Sequence, residues 1–163
     1  MLGICRSGAL IARKCLGRLP AHVEQVSKVV ACLFTSFGSG LSGKGGLTPD
    51  LTGSGGPNLA GNIAFHTTNG VGGATGFLFY RPEALAPIPA FGGLLYTLPP
   101  LPMIPSTLSG SPGTGGAGST SQPANLSDAA SLLGVTLVIQ AGFLDAGAIQ
   151  GVSLTNGVRM TIG

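Results

Sequence analysis

The stretch that decides the fold is "GVSLTNGVRMTIG", residues 151–163. Asn-Gly between apolar residues is the strongest short hairpin signal a sequence offers, so residues 156–157 invite a reversal of the chain. Register argues against it. A two-residue turn at Asn156-Gly157 would pair Thr155 with Val158, Leu154 with Arg159, Ser153 with Met160 and Val152 with Thr161. Opposed residues share a face of the sheet, so every pair would set an apolar side chain beside a polar one. If the strand runs straight on, Val152, Leu154, Val158, Met160 and Ile162 share one face, with Asn156 in phase between them. Burying such side chains is worth roughly 1.5–3 kcal/mol each, and a hairpin would expose about half of them. The sequence therefore predicts a continuous strand, with a kink or bulge at Gly157.

Working back from there, "GVTLVIQAGFLD" (134–145) alternates so that Val135, Leu137, Ile139, Ala141 and Phe143 share a face. "DAGAIQG" (145–151) then makes a turn in which Asp145 acts as a cap. "NIAFHTT" (62–68) separates Ile63, Phe65 and Thr67 from Ala64, His66 and Thr68, and "GFLFY" (76–80) reads as a short apolar strand. Residues 81–105 hold seven of the 12 prolines, so only "GLLYTL" (93–98) is expected to pair well, near an edge. "STLSGSPGTGGAGSTSQPANLS" (106–127) reads as a flexible loop by composition, most mobile near 109–124.

Composition agrees with this texture. The 163 residues include 29 glycines, and only 8% are charged, against about 25% in an ordinary soluble domain. Disorder is excluded, because 44% of residues are hydrophobic. The expected fold is all-β, an antiparallel β-sandwich of seven to nine short strands over residues 34–163. An eight-stranded outer-membrane barrel would need strands of around 10 residues, and the strands before 134 are shorter and broken by proline.

Residues 1–33 differ from the rest. They carry Arg6, Arg13, Lys14, Arg18 and Lys28 against Glu24, and all three cysteines, Cys5, Cys15 and Cys32. Val23, Val26, Val30 and Leu33 fall at helical spacing, so the segment is expected to be helical or poorly ordered. It reads as a loosely attached leader, or as a translation start set too far upstream. Arg13 and Lys14 cut "GALIA" (8–12) short of a signal-peptide core. No run approaches the roughly 20 apolar residues of a transmembrane helix. Beyond residue 33 only Lys44, Arg81 and Arg159 are basic, which is no footprint for nucleic acid.

The quoted segments, together with "FGSGLSGKGGLTPDLTGSGGPNLAGN" (37–62) and "NGVGGATGFLFY" (69–80), resemble an uncharacterised module. It is found as the C-terminal domain of longer secreted proteins of environmental bacteria, and it closes on a TNG…TIG motif. The resemblance spans residues 38–163. It implies an exported β-sandwich-like appendage, with this chain a truncated relative or fragment, and it brings no catalytic residues. Relatives commonly carry cysteines near the opening motif and before the middle strand. This chain has Leu41 and Leu94 or their neighbours there, so the resemblance implies a lost disulfide.

Chemistry-bearing motifs are sparse. "GSGLSG" (38–43) fits GxGxxG, but glycines and a proline follow where a phosphate site requires a helix. His66 lacks a GxSxG elbow, and Asp50, Asp128 and Asp145 lie singly rather than in calcium-loop spacing. No catalytic residue, metal ligand or cofactor is assigned. Phe77, Phe79, Tyr80, Phe91 and Tyr96 are candidates for a ligand platform, with Tyr80 and Tyr96 expected at a rim and His66 on an open strand face. The functional expectation is a non-enzymatic structural or adhesive module, extracellular or at the cell surface, that self-associates or binds surface glycan or matrix. The alternative is a carbohydrate-binding module using the exposed aromatics and the 106–127 loop.

Overall fold

A computed structural model describes residues 33–56, 62–97, 99, 102–125 and 133–163. The helical or poorly ordered segment expected over 1–33 lies outside them except for Leu33, which opens the first strand. Among the described residues there are eleven strands rather than seven to nine, and no α-helix. They are β1 (Leu33–Phe37), β2 (Asp50–Gly55), β3 (Asn62–Val71), β4 (Thr75–Arg81), β5 (Glu83–Ala90) and β6 (Gly93–Thr97). β7 (Met103–Thr107), β8 (Gly115–Asn125), β9 (Thr136–Leu144), β10 (Val152–Leu154) and β11 (Gly157–Thr161) complete the set. All named pairings are antiparallel.

The strands form three sheets. The largest runs β1-β11-β9-β4-β7, with β10 also on β9; a second is β2-β3-β8; the third is the β5-β6 hairpin. Between the first two lies the main core of Leu51, Ile63, Phe65, Leu78, Leu108, Ile139, Ala141, Phe143, Val158, Met160 and Ile162. Strand alternation dictates this set. β9 sends Ile139, Ala141 and Phe143 inward as its sequence pattern requires, and β3 sends Ile63, Phe65 and Thr67 inward with His66 on the opposite face.

The opening stretch does continue through Asn156-Gly157, since β10 and β11 both lie along β9. The expected single apolar face, however, is corrected. Leu154 stands opposite Gly142, and Val158 opposite Ile139, so four steps on one strand answer three on the other. One extra residue inverts the facing of everything beyond it. Val158, Met160 and Ile162 therefore enter the main core, whereas Val152 and Leu154 join a second cluster on the outer face with Phe79, Leu95, Leu41, Ile88 and Ala90.

The side chains of the TNG tripeptide hold this bulge. Thr155 Oγ1 accepts from the Ala141 amide at 2.9 Å. Asn156 Oδ1 accepts from Leu51 N at 2.8 Å while its Nδ2 donates to Leu51 O at 3.0 Å. Asn156 thus behaves as one more backbone unit, joining the large sheet to β2. Gly157 faces Phe37, whose ring would lie 2.8 Å from a Cβ at that position. The first copy, Thr68-Asn69-Gly70, also sits at a register shift; there Asn69 takes φ +61° and donates to Thr48 O at 2.8 Å.

The expected flexible loop near 109–124 is a second correction. Most of it is β8, the partner of β3. Its inward positions Gly118, Thr120, Gln122 and Ala124 are small or polar, so no apolar alternation announces it, and the backbone ladder to β3 defines the strand. β5 is likewise a strand despite its prolines, with a register shift between Glu83 and Ile88.

Candidate functional site

The two faces of the large sheet are covered differently. The β2-β3-β8 sheet packs on the inner face. On the outer face the β5-β6 hairpin covers only part of the surface, through Leu95, Ile88 and Ala90 against Phe79 and Leu154. The hairpin is fastened by Gln140 of β9, which points outward and is fully buried. Its Nε2 donates to Leu94 O at 3.0 Å and Thr155 O at 2.9 Å, and its Oε1 accepts from Tyr96 N at 3.1 Å. At the hairpin's base Arg159 forms a bidentate pair with Glu83, through Nε–Oε2 at 2.7 Å and an Nη2–Oε1 contact, and lies 3.9 Å over the Phe37 ring. Hydrogen bonding to Arg159 holds the Glu83 carboxyl below its ordinary pKa.

Among the described residues the outer face beyond the hairpin is open, and register explains its shape. Pro105 of β7 stands opposite Phe77 of β4, Phe77 opposite Gly142 of β9, and Gly142 opposite Leu154 of β10. A row of apolar side chains thus crosses four strands with a glycine in the middle. The missing side chain at Gly142 leaves a trough, floored by Phe79 and Leu154 and flanked by Val152, Leu144 and Met103. Its volume is about 520 Å³, within the usual span of ligand pockets of roughly 300–1,000 Å³. Among the described residues none of its lining side chains is ionisable.

Phe91 stands at the mouth. It occupies the turn between β5 and β6, where Phe91 and Gly92 have φ +56° and +81°. Two consecutive positive φ values suit the twist of a tight hairpin. For a phenylalanine the left-handed conformation costs about 1–2 kcal/mol. A glycine or asparagine there would relieve that strain, yet the ring is held at the rim of the cleft.

Of the five aromatics singled out in the sequence, the structure brings Phe77, Phe79 and Phe91 together at this cleft. Tyr80 alternates with Phe79 onto the other face of β4 and is 38% exposed. Tyr96 is corrected from a rim residue to a buried one, at 7% exposure. Its ring packs against Phe37, and its hydroxyl donates to Ser39 O and accepts from Ser39 N, both at 2.9 Å. His66 lies on the outer face of the β2-β3-β8 sheet, with Nε2 2.7 Å from Ser54 Oγ. A nucleophile–base pair needs a third group to orient the base, and among the described residues no hydrogen bond joins Asp50 to His66. The three proposed ligand contacts therefore lie in three different places.

The turn residues behave as their sequence suggests. Asp145 is buried and accepts from Lys44 N at 3.0 Å and Gly147 N at 2.8 Å. "GSGLSG" runs into a single 3-10 turn, Lys44–Gly46, and then β2, so no helix follows it. Among the described residues no group of three or more His, Cys, Asp or Glu lies close enough to hold a metal, and no helix is long and apolar enough to cross a membrane. No protein-family profile, curated protein or solved structure matches the chain.

The cleft itself was missed in the sequence. Its signal is that β4 and β9 are apolar on both faces, through Phe77 and Leu144 as well as Leu78 and Phe143. That pattern means cover on both sides, and the hairpin supplies it over only part of the outer one.

Proposed function

We propose that the chain is a non-enzymatic binding module of the cell exterior, structural or adhesive in role, that holds its partner through the apolar cleft. One observation carries the reading. Phe77, Met103 and Leu144 stand 45%, 58% and 63% exposed around a glycine floor, on a sheet face that the hairpin covers elsewhere. Leaving apolar surface in water costs about 25 cal/mol per Å², and contiguous patches of this kind mark interaction sites. The hydroxyls of Thr75, Ser106 and Thr107 line the cleft, but no ionisable group among the described lining residues stands beside them to act as a general base or acid, which favours binding over catalysis. The placement outside the cell rests on the resemblance to secreted modules. The glycan alternative draws less support, because Tyr96 is buried and Tyr80 faces away from the cleft.

Two measurements test this. Mass spectrometry of the native protein's N-terminus in separated cell fractions reports export, and recovery only from the cytoplasm overturns the location. Retention on a hydrophobic-interaction column reports the face. Met103→Lys with Leu144→Lys should elute markedly earlier than wild type, and Leu85→Lys, at a fully exposed site outside the cleft, should shift much less. Equal shifts would remove the cleft from the proposal.

A further inference from the structure

The cleft carries information about what fits it. Its floor and walls are Phe79, Gly142, Leu154 and Val152, with Phe77 and Met103 at the β7 side. Among the described residues the polar side chains of the lining gather at one end, where Thr75 and Thr107 stand opposite each other in the β4–β7 register and Ser106 lies next to Thr107. Their hydroxyls can donate and accept, but among the described residues no lysine, arginine or histidine lines the site to receive an anion, and no carboxylate to receive a cation. Burying an unpaired charge there would be strongly unfavourable. The adjoining edge strand β7 has Pro105 at its centre, which blunts it against addition of a partner strand. A small uncharged molecule therefore suits the site better than an extended peptide or a fatty acid anion.

We infer that the cleft binds the alkyl chain of an uncharged amphiphile, a long-chain alcohol or its ester, with the hydroxyl or ester group at Thr75 and Thr107. This inference rests on the reading of the cleft as the binding face and names the ligand class. The chain lies along the trough over Gly142 between Phe77 and Leu154, and Phe91 closes over it from the hairpin tip.

The test uses the whole chain with the neutral dye N-phenylnaphthylamine, displaced by a series of straight-chain alcohols and by palmitate at neutral pH. Alcohol affinity should rise about fourfold per added methylene until the cleft is full, and hexadecanol should compete roughly tenfold better than palmitate. Gly142→Leu, which fills the floor, and Met103→Lys, at an exposed rim position where folding is not at stake, should each weaken dye binding roughly tenfold. Thr75→Val with Thr107→Val should weaken hexadecanol about fivefold; an unchanged value would overturn the placement of the polar end. Dye binding that both cleft variants weaken, with alcohol and palmitate competing equally, overturns the ligand class and leaves the binding face standing. Dye binding that neither variant alters, or none at all, overturns both. Sedimentation showing a wild-type dimer that Met103→Lys dissociates would assign the face to a second copy of the chain and also overturn the inference.

Discussion

Replacing Asn156 by alanine tests the account of the closing strand most directly. The Asn156 amide makes two hydrogen bonds to one residue, Leu51, which has no exposed surface. Truncation removes both partners at once and leaves a buried N–H and a buried C=O. Each such orphan costs about 1–3 kcal/mol, and some relief by water near the half-buried Asn156 brings the expected total to about 3 kcal/mol. That is a large share of a typical stability of about 5–15 kcal/mol. Urea unfolding followed by far-ultraviolet circular dichroism should show it as a shift in midpoint at unchanged slope, with the melting temperature lower by about 6–12 °C. The internal control is Asn69→Gly. It removes one exposed hydrogen bond at a residue with φ +61°, where glycine is at ease, so it should cost less than about 1 kcal/mol. Asn156→Asp keeps the acceptor but sets a carboxylate oxygen against the Leu51 carbonyl. It should be at least as destabilised as alanine at neutral pH, and should recover part of the loss once acid protonates the new carboxyl. Equal costs for Asn156→Ala and Asn69→Gly would refute the claim that the second TNG joins the two sheets while the first only shapes a register shift within β3.

Three other outcomes follow from the geometry. Gln140→Leu strands Tyr96 N and the Leu94 and Thr155 carbonyls, so hydrogen exchange should accelerate across 83–97 and at 155, while the amides of β3 and β9 stay protected. Glu83 has its pKa lowered by Arg159, so the pair's stabilisation is present above the ordinary glutamate value of about 4.3. It is lost as pH falls through the lower folded value. Being exposed, the pair contributes at most about 1 kcal/mol; the melting-temperature gap between wild type and Glu83→Gln should be small at neutral pH and vanish in acid. Finally, a Cβ on Gly93 would stand 3.0 Å from Leu41 Cβ, closer than the roughly 3.5–4.5 Å of a relaxed disulfide, so a bridge needs the two segments to part slightly. Leu41→Cys with Gly93→Cys should oxidise to a bridge detectable by peptide mass mapping, stabilising by at most about 4 kcal/mol less strain. Failure to bridge would show that these segments are not adjacent.

The parts of the fold that could be read ahead were those where one face is apolar and the other polar. β3 and the inner face of β9 follow period-two alternation, and the structure keeps them as the pattern has them. β8 escaped because "GGAGSTSQPAN" places only Gly118, Thr120, Gln122 and Ala124 inward, and a strand held by its backbone ladder leaves no hydrophobic trace. Tyr96 was misplaced for a related reason. A tyrosine's polar tip suggests a rim, but here the hydroxyl finds both its partners on Ser39 inside the protein. The two apolar faces of β4 and β9 signal cover on both sides, but the cleft depends on where a separate hairpin stops covering the sheet, which no local pattern encodes.

The closing stretch shows how the two levels meet. Assigning all five apolar residues of 151–163 to one face assumed that the bulge at Gly157 bends the strand without changing its phase. The extra residue does change it, and that inversion turns Val152 and Leu154 to the outer face, where Leu154 completes the row Pro105–Phe77–Gly142–Leu154. Without the bulge, Leu154 would point into the main core and the trough over Gly142 would lose part of its floor. Thr155 and Asn156 are therefore spent on holding a register shift whose effect is felt on both sides of the sheet. One strand supplies the main core through Val158, Met160 and Ile162, and the binding face through Val152 and Leu154. The same three residues that keep the chain from turning back create the surface on which the proposed function rests.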